Sequence, residues 1–336
     1  MNDAVPAAEP AVDAGETAHR RAGQRGDSPL GAAIAAIWIR ELRARMRGKK
    51  AFIFLTFYLS LLVGLLWLAL RGAEQTVYLG ALQQVEIGRG IFTAVIFIET
   101  LVVVALAPAY TAGAISQEHE RQTFDLLSVT PITSLSIVAG KLLSSLSYLV
   151  LLIGLSIPIA SVAFFFGGIG AEIVLAAYAL LVVTAIGYGA LGVACSAVAK
   201  RTQPATVAAF LITVVLVVGA TAAWGVMTGM ADAERRPRPP DALLLLNPFV
   251  AQADLLCAAT ASTCLTGITV GVDGARDGNF PPPDLLALEA GGFWPRSLAS
   301  FLALAGVMIA VATQALAPSR RLRLSTRRRA AAEPPR

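Results

Sequence analysis

The chain alternates between long apolar runs and shorter polar or mixed segments. A hydrocarbon core about 30 Å thick takes roughly 20 residues at a helical rise of about 1.5 Å. Residues 51–70, AFIFLTFYLSLLVGLLWLAL, fill that length without a charge and are bracketed by Lys49, Lys50 and Arg71. Five more runs predict spans at about 91–114, 142–166, 172–199, 204–226 and 298–317. Pro108 falls inside the second and should kink it, and Pro158 falls inside the third. The fourth is rich in small residues; Ala185/Gly189 and Gly192/Ser196 are spaced to let helices approach closely. Buried helices of a soluble protein could imitate one such run, but hardly six. The expected fold is all-α: a polytopic membrane protein of six transmembrane helices.

The segments between the runs have patterns of their own. In residues 30–47, Leu30, Ile34, Ile37, Trp38, Leu42 and Met46 share one helical face, and Arg40, Arg43 and Arg47 the opposite one. This predicts an N-terminal interfacial helix, the plainer alternative being a basic flank. In the loop 115–141, Glu118, Arg121 and Asp125 fall in one helical row, with Ile115, Leu126 and Leu127 on the other side. Thr130-Pro131 then supplies an N-cap and first helical residue for the next helix, and Lys141 sits where the third span enters the membrane. The long segment 227–297 holds a Pro/Arg-rich start, an apolar patch and a Gly/Pro-rich stretch; within it, Asn247-Pro248 reads as a turn opening a short helix. Residues 1–28 have no apolar core ahead of a cleavage site and read as a disordered tail. Residues 29–320 form the transmembrane domain, and 321–336 a basic tail.

Composition agrees with this reading. The chain is 56% hydrophobic and 15% charged, with a mean hydropathy of +0.68, whereas soluble domains carry about 25% charged residues. Lys and Arg choose the orientation. Nine lie in 1–50, two in 115–141, two in 199–203 and seven in 318–336, against seven in all the alternate segments. The positive-inside rule places both termini and the loop 115–141 in the cytoplasm and 227–297 outside, in a multi-pass plasma-membrane protein. The basic ends suit an anionic lipid surface, and no aromatic-interleaved basic patch points to nucleic acid. Cys195 lies in an apolar run and reads as a packing residue, while Cys257 and Cys264 could form a disulfide if their loop is extracytoplasmic.

The candidate chemistry is sparse. VAGKLL at 138–143 is not a Walker A motif, since Leu135 stands where the first glycine belongs and Leu142 follows the lysine. His19 and His119 are far apart, no Cys/His cluster suggests a metal site, and no GxSxG elbow appears. The chain is not expected to be an enzyme or to bind a cofactor. Glu99 is the one acid inside a span, where a charge at the centre costs about 2.5–3.5 kcal/mol on insertion scales. It is read as lining a substrate path, as a proton-sensitive switch, or as a structural interhelical hydrogen bond.

The stretch APAYTAGAISQEHERQTFDLL, followed by TPI and AGKLL, resembles the ABC-2 type of ABC transporter permease. SAVAKRTQPA (196–205) and LNPF (246–249) resemble it too, in the same order. The resemblance covers roughly residues 30–320. It implies that the loop after the second span holds a cytoplasmic coupling helix, which rests in a groove of a separate ATPase subunit. On this chain Glu118, Glu120, Arg121, Thr123, Asp125 and Leu127 would form that contact, with Gln122 where many members have glycine. It further implies ATP used through that partner, export of a substrate, and a dimer with a second copy or a paralogue. The rivals are a secondary transporter, which would favour several intramembrane ionisable groups and internal repeats; an intramembrane enzyme, which needs paired acids or His with acids at membrane depth; and a non-transporting anchor subunit.

Overall fold

The structure, a computed structural model, describes residues 49–74, 81–120, 134–167, 169–199, 201–234, 240–260 and 292–316. Every element among them is helical: α1 (Lys49–Glu74), α2 (Ala81–Thr111), α3 (Ser116–Glu120), α4 (Ser134–Phe166), α5 (Ala171–Val198), α6 (Thr202–Val214), a π-helical turn (Val215–Gly219), α7 (Ala220–Glu234), a 3-10 turn (Asp241–Leu244), α8 (Pro248–Thr260) and α9 (Phe293–Leu316). Six stretches are long and apolar enough to cross a membrane. They lie in α1, α2 with α3, α4, α5, the run from α6 to α7, and α9. The predicted interfacial helix 30–47, the Thr130-Pro131 cap and both tails lie outside the described residues.

The helices outrun the apolar stretches that predict them. The third span begins at Ser134, and its 33 residues reach about 50 Å at 1.5 Å per residue, well beyond the hydrocarbon core. Lys141 is buried within the bundle, with its charge paired. Pro158 and Pro108 both sit inside continuous helices. The turn from α4 to α5 passes through Gly167 at φ 77°, a left-handed backbone that glycine adopts without cost from a Cβ.

The bundle is arranged around α5, which is buried along most of its length by Ala177, Leu180, Leu181, Ala185, Tyr188 and Leu191. Its sequence explains why: the small residues give up side-chain bulk for backbone proximity. At Gly192 a Cβ would collide with Thr111 Oγ1 of α2, and at Gly189 it would come within 2.9 Å of Leu146 on α4. Tyr188 packs its ring against Phe301 of α9 at 5.7 Å between centroids. By contrast, α1, the fifth span and α9 turn apolar side chains outward, among them Phe52, Phe57, Val207, Leu211, Val218, Leu302 and Val307. In a soluble protein these would be costly; here they meet lipid. Arg71 lies over the ring of Trp67 at 5.2 Å, a polar cap on the first span.

Candidate functional site

At one end of the bundle the chain leaves the second span through ISQEHE, and the last five of these residues form α3. A helix this short has no stability of its own; it is held from outside. The backbone N–H groups of Ile115 and Ser116 both donate to Ser196 Oγ, each at 2.9 Å. All three residues are buried. Ser116 Oγ also approaches Thr202 Oγ1 at 3.5 Å. The Lys141 ammonium pairs with Glu118 at 2.8 Å. Glu120 accepts at both carboxylate oxygens from Thr202, one bond from the backbone N–H and one from the hydroxyl, each at 2.8 Å. So α3, which continues from the second span, is tied to the third through Lys141, the fourth through Ser196 and the fifth through Thr202. Gly113 makes room: a Cβ there would press within 3.3 Å of the Thr202 methyl.

Inside the bundle, Glu99 is buried at 1% exposure, and Tyr58, Ser156 and Tyr178 around it are buried too. Tyr178 and Ser156 share a hydrogen bond of 2.9 Å, and Ser156 Oγ lies 2.7 Å from Glu99 Oε1. Glu99 Oε2 and the Tyr58 hydroxyl have no hydrogen-bond partner among the described residues. Four spans thus contribute one polar side chain each to a cluster within the apolar core.

The opposite end is closed by the turn LLLLNPF. Asn247 Oδ1 accepts from Phe249 N at 3.0 Å and Val250 N at 3.4 Å, so it caps α8, with Pro248 as the first helical residue. Its Nδ2 donates to Val217 O at 3.0 Å and to Thr221 Oγ1 at 2.5 Å. Val217 lies in the π-helical turn of the fifth span. Tyr188 and Ser297 donate to Leu246 O and Leu245 O at 2.7 and 2.6 Å, and Gln252 to Ala177 O at 3.1 Å. Asp254 accepts from Trp294 N, in the first turn of α9, at 3.0 Å. Burial pushes the Asp254 carboxyl up to about 6, against the opposing pull of that hydrogen bond and of Arg296.

A family model described as ABC-2 family transporter protein matches residues 35–316. The chain belongs to the ABC-2 transporter family. No curated protein matches it. As an ABC-2 permease it is a multi-pass membrane protein, and members of this family normally work with an ABC ATPase subunit.

Within this ABC-2 permease the residues predicted from sequence fall in three places. Glu118 and Glu120 stand at the α3 end, both engaged with other spans of the same chain. Arg121, Thr123, Asp125 and Leu127 lie outside the described residues. Glu99 is at the interior cluster. Cys195 is a free thiol packed beside Ala112, Leu191 and Ala209. Cys257 is disulfide-bonded, and Cys264 lies outside the described residues. Sequence reading missed Thr202, Tyr58, Ser156 and Tyr178, and saw Ser196 only as a small residue. SAVAKRTQPA carried a signal in its resemblance to the family, since it contains both Ser196 and Thr202; the interior hydroxyls carried none that stands out from ordinary helix composition.

Proposed function

We propose that the chain is the permease of an ATP-driven exporter in the plasma membrane, with both termini and α3 on the cytoplasmic side. A separate ABC ATPase seats on the loop that begins with α3, where Glu118, Arg121, Thr123, Asp125 and Leu127 form the docking row, while Glu120 is engaged with Thr202 of the same chain. Two permease copies, or this chain and a paralogue, enclose the path. ATP draws the ATPase subunits together, the loop is displaced, and the spans tilt as rigid bodies. The observation that carries this reading is the attachment of α3: one short segment at one end of the bundle is bonded to the third, fourth and fifth spans. A segment that only capped a loop would not need to reach three of them. Glu99, with Ser156 and Tyr178, ties the second span to the third and fourth inside the bundle.

The test is purification of the tagged chain from native membranes, followed by reconstitution in liposomes. An ABC ATPase should co-purify, and Asp125→Lys should weaken its binding or its hydrolysis while the permease still inserts. A chain that purifies alone and moves solute down an ion gradient without ATP contradicts the reading.

A further inference from the structure

We propose that Glu120 is a joint inside the permease, passing displacement of α3 to the fifth span through Thr202. This rests on the reading of α3 as the segment an ATPase moves. The fifth span is the one that has most need of such a joint. Its outward face is apolar from Val207 through Val218 to Met230, and its described side-chain hydrogen bonds to other elements are gathered at two places. One is its first residue, Thr202. The other is the π-helical turn Val215–Gly219 and the second residue after it, where Asn247 holds Val217 O and Thr221 Oγ1. A helix fastened at its head and again part-way along turns about the second fastening when the first is moved. A π turn suits that role, because it is a local departure from the α-helical ladder.

The head of α6 also explains why the partner is a carboxylate. The residue before the helix, Arg201, offers no side-chain cap, so the first amides of α6 need an acceptor from elsewhere. Glu120, 82 residues away in sequence, supplies it with Oε1 while Oε2 takes the Thr202 hydroxyl. A negative charge at a helix N-terminus is also favoured by the helix dipole. Two bonds to one residue fix direction as well as distance, which a single contact would not. Glu120 is exposed, so the joint adds little to stability, and its removal leaves the bundle folded. Ser196, buried behind it, holds the other end of α3 to the fourth span.

The test uses the complex of permease and co-purified ATPase in nanodiscs, with spin labels at Val150 on the third span and Leu211 on the fifth, both exposed to lipid. In the wild type, ATP with vanadate should shift the distance between them. Glu120→Ala should abolish that shift, Thr202→Val, which keeps the backbone N–H bond to Glu120, should reduce it, and the double variant should do no more than Glu120→Ala. ATPase affinity should stay within about twofold of wild type, since the coupling lost lies inside the permease. A full shift in Glu120→Ala overturns the joint. So does a loss of ATPase binding of about tenfold or more in Glu120→Ala but not in Thr202→Val, which would make Glu120 a direct contact. If the wild-type complex binds no ATPase and shows no shift, the permease reading fails. Hydrogen exchange then decides the joint separately: Glu120→Ala should deprotect the first turn of α6 in the permease alone, and unchanged exchange there overturns it.

Discussion

Replacing Ser196 by alanine removes one hydroxyl and orphans two backbone donors. Ile115 N and Ser116 N both point at Ser196 Oγ from 2.9 Å, both residues are buried, and neither amide has a backbone acceptor among the described residues. A buried donor left unsatisfied costs about 1–3 kcal/mol, so the pair costs roughly 2–6 kcal/mol, with the lower half expected if water reaches the site from the nearby exposed edge of α3. The hydroxyl is also what tells α3 where to start. Ser196→Ala should therefore loosen α3 without disturbing the spans. Unfolding of purified protein in mixed micelles should show a destabilisation of at least about 2 kcal/mol, and hydrogen exchange should rise at residues 115–120 before it rises in α5. Thr56→Ala is the control: its hydroxyl is exposed and bonds only to Phe52 O on its own helix, so it should stay within about 0.5 kcal/mol of wild type. A Ser196→Ala variant equal to that control would refute the reasoning.

Asn247→Ala should cost roughly 2–4 kcal/mol, from a lost cap on α8 and an unpaired carbonyl in the π-helical turn; Asn247→Asp, which keeps the cap but not the amide donor, should fall between it and wild type in the same unfolding assay. The Asp254 carboxyl is raised to about 6 in the folded protein, so its contribution to stability is full below about pH 4 and is lost as pH rises through about 6. Asp254→Asn should flatten that part of the stability–pH curve, by a difference on the order of 1–3 kcal/mol at neutral pH. Glu99→Gln can still accept from Ser156 and should keep normal membrane levels on immunoblots while lowering ATP-driven activity after reconstitution; equal loss of both would make the residue structural. Mass spectrometry of unreduced protein should find Cys257 linked to Cys264 and Cys195 free to alkylate, and an alkylated Cys264 would exclude that pairing.

The spans were legible because the bilayer imposes a length and a composition that few other structures share. Asn247 was legible because capping is a local matter, settled within three residues. Gly192 and Ser196 were legible as small, but not for what they do. The size of Gly192 admits Thr111, whereas the oxygen of Ser196 receives two amides from about 80 residues away. Lys141 reads as a membrane-boundary residue because a lone lysine beside an apolar run obeys that rule; only the fold shows Glu118 beside it. The Glu99 cluster depends on the rotational phase of four helices. A helix that is apolar on every side, as α4 and α5 are over most of their length, carries no polar stripe to mark which face turns inward. Ser156 and Tyr178 therefore could not be paired with Glu99 from spacing.

The central claim is that the α3 end of the bundle faces the compartment that holds ATP. A single cysteine at the exposed position Gln117, in a background where Cys195 is alanine and Cys257 and Cys264 are serine, reports it directly. A membrane-impermeant maleimide should label that cysteine in inside-out vesicles and leave it unlabelled in intact cells. Labelling from the outside of intact cells would put α3 beyond the reach of any ATPase and contradict the account.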